Sequence, residues 1–206
     1  MAADSKQTDL LREGEFSWVS KLHKQDSVYF TFSGFAHALD EDKFELDVEQ
    51  HLRKKLLAMP LTDSAFGALD KYISVQFGME HGVKFRNRPT SFQVSPYVIE
   101  IAFVYLLNDA INVRYSKIRP FSFSKPRVFR GDFPPLFFGY VDSLRAVYNR
   151  NPKLAETIGI VETINHLISA QIIASPEYVG GPIDILRVTK GGHKWIQGKP
   201  QSISNF

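Results

Sequence analysis

At 206 residues and 23.5 kDa the chain is about 1.4 times the ~150-residue domain prior, which points to one large domain or two small ones. A hydrophobic share of 44% against 23% charged, with 13% aromatic, excludes a mainly disordered chain. The lack of any cysteine excludes disulfides, thiolate catalysis, thiolate zinc sites and iron–sulfur clusters, while a net charge of +3 decides nothing by itself.

Residues 5–24 mix charges with Leu10, Leu11, Phe16, Val19 and Leu22 around Gly14, and read as one or two short helices. Val28, Tyr29, Phe30, Thr31 and Phe32 are β-branched or aromatic and stop at Ser33-Gly34, a strand signature. Leu46, Val48, Leu52, Leu56 and Leu57 recur near helical spacing until Pro60 ends the run. Thr62 or Asp63 caps a second helix, with Phe66, Leu69, Ile73 and Phe77 on its apolar face and Gly78 near its end. Residues 81–90 are loop-like and carry Lys84, Arg86 and Arg88. Ser95-Pro96 then reads as an N-cap with proline at the first helical position. The helix it opens, to about Asn112, is apolar nearly all round and is therefore expected to be central and buried. Pro120 and Pro126 leave no room for a long regular element in 114–133. Pro134-Pro135 precedes a helix through Phe138, Val141, Leu144 and Val147 that ends near Asn149.

The C-terminal third reads as a short helix over 152–158, a turn at Gly159 and a second helix over 161–170. Two strands follow, 171–174 and 183–189, joined by 176–182. The Leu154-Ala155 pair, with Gly159 four residues after the alanine, is similar to the first half of a helix-turn-helix, where a small residue lets two helices approach. Together with the hairpin, residues 134–196 resemble the winged-helix domains of bacterial regulators. In that family the last strand commonly runs into a Thr-x-x-Gly-like start of a further helix, which Thr189, Gly191 and Gly192 resemble loosely. The resemblance implies a winged helix at 134–206. With the helices read in the front of the chain, the expected fold is mainly α with a small β component, a helical part at 1–133 preceding the winged helix.

Charge is unevenly spread. Residues 1–70 carry 8 basic and 13 acidic side chains, whereas residues 82–130 carry nine basic and two acidic. The basic middle either meets an anionic partner or pairs with the acidic front. It also interleaves rings with cations (Arg114, Tyr115, Lys117, Arg119, Phe121, Phe123, Lys125, Arg127, Phe129, Arg130), the pairing that single-stranded nucleic acid uses. The alternation of Phe121 and Phe123 favours a buried strand with its cations on the wet side. In the C-terminal part, Thr163, Asn165, His166 and Ser169 have the chemistry to read base edges. Arg150, Lys153, Arg187, Lys190 and Lys194 flank them as phosphate contacts, and Arg127 and Arg130 extend the basic surface. Against this, no Lys or Arg occurs from Leu154 through Leu186, and Asn165 stands where family members place an apolar residue.

The six histidines form no metal-ligand spacing, and no phosphate loop, dinucleotide fingerprint or nucleophile elbow is present. No enzyme activity, metal or cofactor is therefore expected. The longest near-apolar run, 97–107, contains Glu100 and is too short to span a bilayer. The N-terminal residues lack a secretory pattern, so a cytoplasmic protein is expected. Two readings compete. One is a DNA-binding protein, a transcriptional regulator or DNA-processing accessory that grips duplex DNA as a homodimer. The other is a non-enzymatic adaptor or assembly protein whose winged helix binds a protein partner.

Overall fold

A hairpin-rich antiparallel sheet, not a helical bundle, organises the middle of the chain. A computed structural model describes residues 1–3, 6–8, 16–18, 21–34, 37–39, 45–83, 98–121, 125–131, 135–137, 139 and 141–197. They divide into two compact units, one of residues 23–134 and one that joins 1–22 to 135–206. The expected loop cations Lys84, Arg86 and Arg88, the Ser95-Pro96 cap, Phe123 and Phe138 lie outside the described residues.

In the unit of residues 23–134, β4 (Leu22–Gln25) turns through Asp26, at φ 51°, into β5 (Val28–Gly34). After the short pair β6 (His37–Leu39) and β7 (Glu45–Asp47) come α1 (Val48–Leu56) and α2 (Asp63–Ile73). Asp47 caps α1 by accepting from the Gln50 amide, and Thr62 caps α2 by accepting from that of Ala65. A π-helical stretch, Ser74–His81, prolongs α2 past Gly78. Then β8 (Ile99–Leu107), β9 (Ala110–Ile118) and β10 (Arg127–Arg130) complete a five-stranded antiparallel sheet ordered β10-β9-β8-β5-β4.

One face of this sheet holds Val28, Phe30, Ile99, Ile101, Phe103, Tyr105 and Ile118. Against it pack Val48, Leu52 and Leu56 of α1, Phe66, Leu69 and Ile73 of α2, and Phe77. The apolar stripes expected for both helices thus meet the sheet, except at Leu57, which caps the end of α1 and is 64% exposed. At the end of β5, Gly34 has φ +88° and sits opposite Ile99, and a Cβ there would lie 2.0 Å from the Val98 carbonyl oxygen. Gly34→Ala is expected to cost about 2 kcal/mol or more, from left-handed strain plus the collision, read as a lower urea midpoint at unchanged slope.

The second unit carries α3 (Asp142–Arg150), α4 (Leu154–Ile158) and α5 (Ile160–Ala174), with Gly159 at φ 86° between the last two. Leu144, Leu167, Ile168, Ile183 and Ile185 form its core. Buried Gln171 of α5 holds the start of α3, its Oε1 accepting from the Ser143 and Leu144 amides where no local side chain caps the helix. A three-stranded sheet follows, ordered β1-β11-β12, from Ala2–Ala3, Asp184–Thr189 and Gly192–Gln197. A separate two-stranded pair joins β2 (Lys6–Thr8) to β3 (Phe16–Trp18).

The expected mainly α fold with a helical front and a C-terminal winged helix is therefore corrected: the chain is mixed α/β with antiparallel sheets. Where a helix was expected over 95–112, the described residues form strand β8 and the start of β9. Ile99 through Tyr105 are buried on both faces of a central strand, so the segment shows no alternation. Strands also occupy parts of 5–24, where helices were expected. In the C-terminal unit, 171–174 continues α5 and does not form a strand. The hairpin is one element later, β11 with β12, and Gly192 opens a strand instead of leading into a helix.

Candidate nucleic-acid interface

The β11–β12 hairpin is the one place where the structure gathers several of the expected phosphate contacts. Its turn is Lys190-Gly191, and the Thr189 hydroxyl closes it by donating to the Gly192 carbonyl at 3.1 Å. The register sets Arg187 directly opposite Lys194, Val188 opposite His193 and Leu186 opposite Trp195. Because side chains alternate along a strand, Arg187 shares a face with Ile185, which joins the apolar core. Arg187 and Lys194 continue that face into solvent, with Lys190 at the tip. Between Leu186 and Ile185 the register shifts, leaving Ile196 as the extra residue of a β-bulge.

Two cations directly opposite across a ladder repel, at a cost of a few tenths to about 1 kcal/mol. No carboxylate among the described residues relieves Arg187, Lys190 or Lys194. The hairpin thus presents concentrated positive charge on an extended two-stranded ribbon, a shape that fits the major groove of duplex DNA.

The other expected contacts are dispersed. Arg150 is the exposed last residue of α3, where a cation also complements the helix dipole, and exposed Lys153 precedes α4. Thr163 is buried and its hydroxyl donates to the Gly159 carbonyl at 2.7 Å, so it faces its own helix start and no base edge. Asn165 is half-buried and His166 exposed. The solvent-facing stripe of α5 is Glu162, His166, Ser169 and Ile173, with no cation. Arg127 and Arg130 belong to the other unit, on β10.

In that other unit much of the basic middle is already paired. Arg114 is buried and donates Nε to both Asp70 oxygens, at 3.0 and 2.9 Å, and Nη2 to Oδ2. Burial opposes its charge, but the Asp70 bonds outweigh that and raise its pKa above the ordinary value. Lys117 donates to Glu100 at 3.1 Å and the Tyr115 hydroxyl to the same oxygen at 2.6 Å. Arg130 reaches both oxygens of Asp63 at 3.2 Å. Two of these carboxylates, Asp63 and Asp70, come from the acidic front, as the pairing alternative expected.

Composition and local motifs did not reveal the Asp70–Arg114 pair, although one signal existed. Asp70 falls beside Leu69 and Ile73 on the apolar stripe of α2, and a carboxylate at such a position needs a cation. A further charged group lies at the start of α1. Glu49 takes Arg53 Nε at 2.7 Å and lies 3.1 Å from Nδ1 of His23, whose ring stacks on Phe30 and Phe32. The hydrogen bond from His23, aided by Arg53 against the cost of burial, holds the Glu49 carboxyl down from 4.5 to about 2.

A folded pKa below the unfolded one stabilises the fold above about pH 4.5, and the gain is lost as pH falls towards 2. With the side chain 38% exposed, solvent screening limits the gain to about 1 kcal/mol. Glu49→Gln is therefore expected to unfold about 1 kcal/mol more easily at neutral pH and to flatten the loss of stability between pH 4.5 and 2, as measured by urea titration across pH.

Among the described residues no group of three metal-ligating side chains occurs, and no helix is long and apolar enough to cross a membrane. No known protein family and no curated protein matches the chain.

Proposed function

We propose that this chain is a cytoplasmic, non-enzymatic DNA-binding protein, regulatory or accessory to DNA processing, that holds duplex DNA by its backbone as a homodimer. The observation that carries this reading is the hairpin register, which places exposed Arg187 directly across from Lys194 with Lys190 at the turn. Phosphates relieve the repulsion that this register creates, and they wall the groove into which a two-stranded ribbon fits. Arg150 and Lys153 are further backbone contacts in this reading, with Asn165 and His166 as candidate base contacts. Fluorescence anisotropy of labelled random duplex and single strands, titrated with the chain across a salt series, tests it. Salt-steep binding that prefers duplex is expected, and absence of binding at low salt would overturn the reading.

A second reading rests on a separate observation. The exposed stripe of α5 carries no cation, and Ile173 on it is 81% exposed, which favours an adaptor whose C-terminal unit binds a protein. The same titration separates the two, because an adaptor needs no affinity for random duplex.

A further inference from the structure

We propose that β10 is a docking edge at which an extended acidic segment of a partner protein adds to the five-stranded sheet as a further strand. Among the described residues β10 pairs only with β9, through Arg127↔Tyr115 to Arg130↔Asn112, and is the outer strand of its sheet. An antiparallel edge turns alternate N–H and C=O groups outward, ready to pair with another chain. Val128, a β-branched apolar residue suited to a strand neighbour, is 41% exposed there.

Charge then selects the occupant. Lys125 and Arg127 are exposed and in no ion pair among the described residues, and Arg130 is tied to Asp63 only by a solvent-exposed pair. Such pairs are weak and exchange readily. These cations bar a second copy of the same edge, since antiparallel pairing of all four β10 residues sets Arg127 against Arg130 at both ends. The same cations attract carboxylates. Nucleic acid would meet the charge but leave the outward backbone ladder and Val128 unanswered, whereas an acidic strand answers all three.

The strand alternates, with Arg127 and Phe129 on one face and Val128 and Arg130 on the other. A short peptide alternating Glu and Val therefore places Glu beside Arg127 and Val beside Val128. The test is anisotropy of that labelled peptide with the full chain, beside the same peptide N-methylated on alternate residues and one alternating Lys and Val. Binding of the Glu-Val peptide is expected to weaken about tenfold both on N-methylation and with a Lys125→Glu, Arg127→Glu variant, and the Lys-Val peptide is expected not to bind. Equal binding of the methylated peptide would show attraction by charge alone and overturn the proposal. So would indifference to the double variant, or displacement of the peptide by duplex DNA from wild type but not from a hairpin variant lacking Arg187 and Lys194.

Discussion

Asp70→Ala is expected to lower the free energy of unfolding by about 3–5 kcal/mol. Asp70 and Arg114 are both about nine-tenths buried, joined by three donor contacts between α2 and β9. Removing the carboxylate leaves a guanidinium in an apolar setting, with the Phe66 ring 5.7 Å from it. Its charge cannot be shed, because arginine does not deprotonate at accessible pH. The converse change, Arg114→Leu, strands a carboxylate that can take a proton, so its cost is expected to be smaller and to shrink as pH falls. A double replacement, Asp70→Leu with Arg114→Leu, should recover much of the loss, since paired burial of charge is often no better than well-packed apolar residues. Urea denaturation of these variants, with Asp70→Leu alone to close the cycle, measures this. Additive costs in the double variant would show that the pair does not act as a unit.

That pair also explains why parts of the fold were hard to read. Leu52, Leu56, Phe66, Leu69, Ile73 and Phe77 all face the sheet, so the helical spacing seen in the sequence is the spacing of the core. Strand β5 was readable because Val28 through Phe32 are all β-branched or aromatic and stop at Ser33-Gly34, and Val28, Phe30 and Phe32 face that core. Strand β9 was not, because three of its core-facing positions are polar: Asn112, Arg114 and Ser116. Asn112 uses its side-chain amide to close the hairpin on the Leu107 and Ala110 carbonyls, and Arg114 is held by Asp70. Strand β8 failed for the opposite reason, being apolar on both faces but for Glu100. The decisive local mark was Asn108-Asp109, both at positive φ, which turns β8 into β9. At 171–174 the β-branched pair Ile172-Ile173 suggested a strand, but the segment continues α5, with buried Gln171 bonded to the start of α3. The candidate site was legible as residue types and not as geometry. Arg187, Lys190 and Lys194 were all singled out, yet only strand β12, missed in the sequence, shows that two of them face each other.

The Arg187→Ala, Lys194→Ala double variant is expected to bind duplex DNA about ten- to a hundredfold more weakly, with the slope of log affinity against log salt falling by about two. Each phosphate contact releases roughly one counterion, so losing two contacts changes the slope as well as the affinity. Weakening should be uniform across sequences, because phosphate contacts carry no base information. The same variant is expected to be slightly more stable than wild type, by a few tenths to about 1 kcal/mol, because it removes a directly opposed like-charge pair. The two effects have opposite signs, and that separates a binding role from a structural one. Lysine on an edge strand also guards against edge pairing, as does the bulge at Ile196. If guarding were the whole role, the variant would self-associate while its DNA affinity stayed as in wild type. Among the described residues β1 covers β11 only as far as Leu186, one residue short of Arg187, so it is the self-association measurement that separates guarding from binding.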